Sequence, residues 1–74
     1  MDTDNLVHMA NRIGEFFQAM PDREEAALEI TQHLHKFWEP RMRRELFAHL
    51  DRTGGGELLP LVRQALLAHR NELI

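Results

Sequence analysis

The sequence predicts an all-α protein, a small bundle of about four short helices that forms a single helical domain over residues 1–74. Pro21, Pro40 and the run Gly54–Gly56 divide the chain into four segments, and none of these shows the alternation of apolar and polar residues that is typical of strands. Each segment instead has a helix-forming composition. A length of 74 residues allows one domain at most, with a core of marginal net stability.

The first helix is expected to start near Thr3 or Asp4, whose side chains can accept from the free amides of the first turn, and to end at Met20 before Pro21. Its predicted core side consists of Leu6, Met9, Ala10, Ile13, Phe16, Phe17 and Met20. Gly14 lies within this helix, where glycine costs about 1 kcal/mol relative to alanine. Two interpretations stay open: the glycine lets another helix approach closely, or it is merely tolerated.

The second helix is expected to begin at Asp22, whose carboxylate can cap it, and Glu25 three residues later completes a pattern like a capping box. Its predicted core side consists of Ala26, Ala27, Ile30, Leu34, Phe37 and Trp38. Leu28 falls on a different flank of the helix, so we expect it to face water or a partner.

The third helix is expected to run from Pro40, where the missing amide does no harm in a first turn, to about Asp51. Its apolar arc consists of Met42, Leu46, Phe47 and Leu50. Arg43 lies inside this arc, where burial of an unpaired charge is very costly. We therefore expect its guanidinium either to reach water or a partner within the chain, or to find an acceptor on another subunit.

The Gly54–Gly56 run predicts a flexible reversal, and the fourth helix is expected to be entered near Leu58 to Pro60 and to continue to about His69. One side of this helix consists of Leu58, Leu59, Val62, Ala65, Leu66 and Leu73, whereas Leu61, Leu67 and Ala68 fall outside that side. Such a helix either occupies a central position or presents a second apolar face to a partner. The partner is favoured here, because a chain of this length has few elements that could cover a central helix.

Composition and charge exclude several classes of protein. The chain has no cysteine, which excludes disulfides and thiolate metal sites. Its net charge of -3 argues against a general nucleic-acid binder, which normally carries an excess of lysine and arginine. Neither a signal peptide nor an apolar run of about 20 residues is recognisable. We expect a soluble, cytoplasmic protein without a membrane segment.

The histidines and acidic residues do not predict a catalytic or metal site. His33 and His35 are two apart and therefore point in different directions on a helix. Two pairs are four apart, Glu29 with His33 and Glu45 with His49, and this spacing favours ion pairing on a helix surface over metal binding. The chain has no serine, and its glycine run lacks the Lys and Ser or Thr of a P-loop. The sequence therefore predicts no catalytic, cofactor-binding or metal-ligating residue, and a chain that is not an enzyme.

Residues 30–50 concentrate the residue types that dominate binding surfaces, because the only tryptophan stands beside a proline and three arginines within seven positions. The predicted partner-binding residues are Phe37, Trp38, Pro40, Arg41, Met42, Arg43, Leu61 and Leu67. Trp38 has two interpretations, a core residue or the anchor of an interface. A helix-turn-helix DNA reader that uses Arg41, Arg43 and Arg44 is a competing hypothesis, which the acidic flanking helices disfavour.

Six sequence patterns follow one another between Leu6 and Leu66. They are LVxMANxIGxFF, PDxxxA, HLxxFWxPRMRxxL, AHLD, the glycine-rich turn and LxPLVxxAL. Together they resemble the small delta subunit of the soluble, NAD-dependent, molybdenum-containing formate dehydrogenase. The FWxPRM element is the most specific of them, because its composition is unusual for a generic helical domain.

The resemblance implies an accessory subunit of a cytoplasmic complex that oxidises formate to carbon dioxide and reduces NAD. In that family the alpha subunit carries the molybdenum cofactor and iron-sulfur clusters, and the beta and gamma subunits carry flavin, further clusters and the NAD site. The delta subunit holds no cofactor and is associated with assembly or stability of the complex, or with insertion of the molybdenum cofactor. The resemblance thus implies the alpha subunit as the main partner. A permanent subunit and a transient chaperone stay open as alternatives, as does a homo-oligomer of the isolated chain.

Overall fold

Four helices of 9 to 15 residues and one short helix make up the computed structural model, which describes residues 2–74. They are α1 (Thr3–Phe17), α2 (Arg23–Phe37), α3 (Pro40–Thr53), α4 (Pro60–Ala68) and α5 (Arg70–Leu73). No strand occurs within residues 2–74, so the predicted all-α class is confirmed. The fifth helix was not predicted, because four residues are too few to show a helical period.

Short polar side chains and prolines set the helix starts. The Asp2 carboxylate, rather than Thr3 or Asp4, caps α1 by accepting from the amide of Asp4 at 3.1 Å. The Asp22 carboxylate caps α2 as predicted, accepting from the amides of the second and third helical residues at 3.0 and 3.2 Å. Pro40 opens α3, also as predicted. In contrast, α1 ends at Phe17, three residues earlier than expected.

The reversal between α3 and α4 depends on two glycines with left-handed backbone angles, Gly54 at φ 80° and Gly55 at φ 74°. Glycine adopts this region without the steric cost that other residues meet. Gly54 ends α3 by donating its amide to the carbonyl of Leu50 at 2.8 Å. The predicted turn is thus a helix C-cap of defined geometry.

All five helices contribute to one cluster of buried apolar side chains, with α4 near its centre. Helix α4 packs against α1, α2 and α5, and its residues Leu61, Val62, Ala65 and Leu66 are buried. The preference for a partner-facing α4 is therefore wrong for most of its surface. Part of α4 is covered by α5, which the sequence did not predict and whose Leu73 is buried in the same cluster.

Polar contacts hold α5 against α3. The Arg70 guanidinium donates to both carboxylate oxygens of Asp51, at 2.9 and 2.6 Å, and stacks 4.8 Å above the ring of Phe47. The hydrogen bond from Arg70 lowers the pKa of Asp51 and raises the pKa of Arg70 itself. Because the pair is exposed, solvent screens the attraction and its main effect is on geometry.

Gly14 on α1 lies against Val62 of α4 and against Leu59, the residue that precedes α4. A Cβ atom at this position would lie 2.5 Å from Cγ2 of Val62 and 3.3 Å from Cδ1 of Leu59. The first of the two interpretations of Gly14 is therefore confirmed: the absence of a side chain permits the approach of a neighbouring helix.

We expect Gly14→Ala to lower the free energy of unfolding by about 1 kcal/mol. Alanine gains about 1 kcal/mol in helix propensity, but an extra methyl group in a packed core costs about 1–3 kcal/mol, and the stiff side chain of Val62 cannot rotate away easily. Urea unfolding of both proteins measures the difference. Gly56→Ala is the matched control, because a Cβ there meets nothing within 4 Å; a Gly14→Ala protein more stable than the parent would contradict the packing argument.

Candidate docking surface

Several of the predicted partner-binding residues are accessible in the folded chain. Phe37 ends α2 with 65% of its surface exposed, and Pro40 and Arg41 are exposed at the start of α3. Met42 is half-buried at the edge of the core. Leu67 on α4 is 51% exposed. These five residues are in reach of a partner, although the structure contains none.

Trp38 and Leu61 lie in the core instead. Trp38 is only 5% exposed, and it leaves the helix with extended backbone angles of φ -93° and ψ 135°. The structure thus favours the core interpretation of the tryptophan over the interface anchor. In this fold neither Trp38 nor Leu61 offers its side chain to a partner, so we do not include them in the docking surface.

Arg43 finds its acceptors within the chain. Its Nε donates to the carbonyl of Leu73 at 2.8 Å, and its Nη1 donates to the carbonyls of Trp38 at 2.8 Å and His35 at 3.1 Å. Of the alternatives for Arg43, the structure therefore shows acceptors within the chain. A half-buried guanidinium satisfies the free carbonyls at the end of α2 and joins them to α5.

A row of four rings crosses from α1 to α2, and we call Phe16, Phe17, His33 and Phe37 the aromatic stripe. Phe16 and Phe17 meet edge to face with 5.0 Å between ring centroids. The centroids of Phe17 and His33 are 6.4 Å apart, and those of His33 and Phe37 are 4.8 Å apart.

Phe16 and Phe37 were predicted to lie on core sides, and this prediction is wrong. Phe16 is 76% exposed and Phe37 is 65% exposed. Both stand at the carboxyl ends of their helices, where the neighbouring helices no longer cover the apolar face. The spacing of His33 and Phe37, four residues apart on α2, is the signal that could have revealed the stripe.

Charged side chains border the aromatic stripe. Arg12 and Ile13 line a shallow surface pocket together with Phe16, Phe17 and His33. Glu29, Gln32 and Lys36 line a second one between Phe17 and Phe37. The ammonium group of Lys36 lies 5.5 Å from the ring centroid of Phe37, within the range of a cation-π contact.

The predicted ion pairs on the helix surfaces are wrong. Within residues 2–74 the one arginine–carboxylate ion pair is Arg70–Asp51, and the histidine–carboxylate contacts are His49–Glu57 and His69–Glu72. The Glu45 carboxylate accepts from the hydroxyl of Thr3 at 3.2 Å instead. His49 is buried and its Nε2 has no hydrogen-bond partner in the described part of the chain, with the Glu57 carboxylate 3.5 Å away.

Residues 2–74 contain no group of three histidine, aspartate or glutamate side chains placed to hold a metal ion. In the same range no helix combines the length and apolar character needed to cross a bilayer.

Comparison with known proteins gives one match. The family model described as the NADH-dependent formate dehydrogenase delta subunit FdsD matches residues 5–66. No curated protein and no solved structure matches the chain. The matched range contains the whole aromatic stripe and the exposed start of α3, whereas α5 lies beyond it.

Proposed function

Because this chain belongs to the FdsD family of NADH-dependent formate dehydrogenase delta subunits, we propose that it is a non-catalytic accessory subunit of a cytoplasmic formate dehydrogenase complex. In this role it docks on the catalytic alpha subunit, with beta and gamma subunits in the same complex, and supports assembly or stability. The family match over residues 5–66 carries the proposal. Membership of a subunit family implies a complex with other subunits.

The exposed aromatic surface of this chain supports a role in binding another protein. Phe16 and Phe37 keep most of their surface in solvent, although aromatic residues on a small soluble chain are usually covered. Contiguous exposed apolar side chains mark interaction sites more often than chance, and aromatic residues are enriched in the parts of interfaces that contribute most to affinity. A subunit that docks on a larger protein would place these rings in its interface.

The proposal assigns the redox groups to the other subunits. A chain without cysteine cannot supply the thiolates that normally hold iron-sulfur clusters. The clusters would therefore lie on the larger subunits, and the family resemblance implies the same for the molybdenum cofactor, flavin and NAD. This chain would affect formate oxidation through the amount of intact enzyme rather than through a residue in the reaction.

Purification of the complex through a tag on this chain tests the proposal. We expect the alpha, beta and gamma polypeptides to co-purify with the chain in a fixed ratio and with formate dehydrogenase activity. Enzyme produced without the chain should be obtained in lower yield or with faster loss of activity. Subunit ratio by quantitative mass spectrometry and molybdenum content by elemental analysis are the measurements.

The same measurement separates the two roles that the family resemblance leaves open. A permanent subunit is present at equal molar amount in active, molybdenum-loaded enzyme. A transient chaperone for molybdenum cofactor insertion is instead enriched on molybdenum-free alpha subunit and absent from the loaded enzyme. A tagged chain that captures no formate dehydrogenase polypeptide contradicts both roles.

A further inference from the structure

We propose that the aromatic stripe is the docking face of this chain, and that it fits an apolar groove rimmed by carboxylates on another subunit of the formate dehydrogenase complex. The inference rests on the proposed function, since it names the surface through which the accessory subunit would bind. The sequence had placed the contact at Trp38, the start of α3 and α4, and only Phe37 is common to that prediction and the stripe.

Exposure distinguishes this face from the rest of the described surface. The two most exposed large apolar side chains within residues 2–74 are Phe16 and Phe37, and they stand at the two ends of the row of rings. The other exposed large apolar residues are Leu28, Leu67 and Ile74, which are not part of this row. The stripe is therefore a continuous aromatic surface rather than a scatter of single residues.

The rings of the stripe are already held in place before any partner binds. Phe17 packs against the core and supports Phe16 edge to face, while His33 lies between Phe17 and Phe37. Edge-to-face aromatic pairs have a preferred geometry. Side chains that are ordered in the free protein lose less conformational entropy on association, so this surface is preorganised for binding.

The charge around the stripe is opposite to that of the whole molecule. Arg12 and Lys36 border the rings, with Glu29 as the one carboxylate that lines the same two pockets. Neither cation takes part in an ion pair within residues 2–74. The chain as a whole carries a net charge of -3, so the local positive excess favours a partner surface with carboxylates at its rim.

A second copy of this chain is a poorer fit for the same face. In a symmetric dimer each surface meets an identical one, so two borders with the same positive excess would be brought together. Like charges brought together at an interface oppose association. A heterologous partner with acidic residues avoids this repulsion.

Substitutions at the two ends of the stripe test the inference in the full-length chain, co-expressed with the other subunits. We expect Phe16→Asp and Phe37→Asp each to weaken binding to the complex by about thirtyfold or more, as for an aromatic side chain that becomes buried in an interface. Ile74→Asp is the matched control, because Ile74 is 64% exposed and lies outside the stripe; it should stay within about threefold of the parent. Circular dichroism melting of each variant confirms that the chain remains folded.

A second set of substitutions, which reverse charge, tests the proposed acidic rim of the partner surface. The double variant Arg12→Glu with Lys36→Glu should bind more slowly, and added salt should raise its association rate instead of lowering it, because rim charges act mainly on encounter and like charges now face each other. Binding by this variant at the parental rate and with the parental salt dependence would contradict the acidic rim.

Each result decides between clear alternatives. If the parent chain captures the complex and the folded phenylalanine variants capture it equally well, the stripe is not the docking face, although the proposed function stands. If the parent captures no subunit, the proposed function fails and the inference with it. If the isolated parent sediments as a dimer that the phenylalanine variants break, while capture of the complex is unchanged, a second copy occupies the stripe and the inference is overturned.

Discussion

Replacement of Trp38 by alanine is expected to lower the free energy of unfolding by about 3–5 kcal/mol, because it removes the largest side chain of the core. Trp38 is 5% exposed and belongs to the buried cluster that joins the helices. A domain of this size has a total stability of about 4–11 kcal/mol. The substitution should therefore lower the melting temperature by more than about 12 °C, or leave much of the chain unfolded at room temperature.

Thermal melting followed by circular dichroism measures this effect, with Phe37→Ala as the control. Phe37 is the preceding residue and is also aromatic, but it is 65% exposed, so its removal leaves no cavity. We expect that variant to melt within about 3 °C of the parent, as surface substitutions usually do. Equal melting of the Trp38→Ala and parent proteins would contradict the core assignment of the tryptophan.

Replacement of Arg43 by alanine is expected to cost about 3 kcal/mol of stability. The guanidinium donates to three backbone carbonyls, those of Leu73, Trp38 and His35. A hydrogen bond from a charged donor contributes about 1.5–3 kcal/mol in favourable cases, but these three are part-buried or exposed, so we expect their sum to stay near the upper value for one bond. Lysine should restore only part of the loss, because a single ammonium group cannot reproduce the planar arrangement of donors on two guanidinium nitrogens.

Urea unfolding of the Arg43 variants, beside Arg41→Ala, measures this contribution. Arg41 is the same residue type two positions earlier, but its side chain is exposed, so we expect a change within about 0.5 kcal/mol. If Arg41→Ala were as destabilising as Arg43→Ala, the effect would come from the loss of positive charge near α3 rather than from the carbonyl contacts. An Arg43→Lys protein as stable as the parent would show that the planar arrangement of the guanidinium donors is unimportant.

The sequence predicted well those features of the fold that depend on local chemistry. Asp22 and Pro40 set the starts of α2 and α3 because a capping carboxylate and a missing amide act on the residues next to them. Close packing could be predicted as one interpretation of Gly14, because a glycine inside a helix often has a packing reason. These predictions required no knowledge of which helix would lie opposite.

The features that were predicted wrongly, or left open as for Arg43, depend on what the rest of the chain covers. The helical period places Phe16 and Phe37 on an apolar face, but it does not show whether a neighbouring helix is long enough to cover that face at their positions. The acceptors of Arg43 are backbone carbonyls, which every residue carries, so no residue type marks them in the sequence. Burial of Leu61 depends on a central position of α4, and that position depends partly on a four-residue helix with no period of its own.

The aromatic stripe also has a consequence for free copies of this chain. Exposed phenylalanines favour non-specific aggregation in a concentrated solution, and a net charge of -3 is at the low end of the range of about 2–8 that keeps small domains soluble. Copies of the chain that exceed the amount of available partner would therefore be less soluble. Balanced synthesis with a larger polypeptide would keep that surplus small.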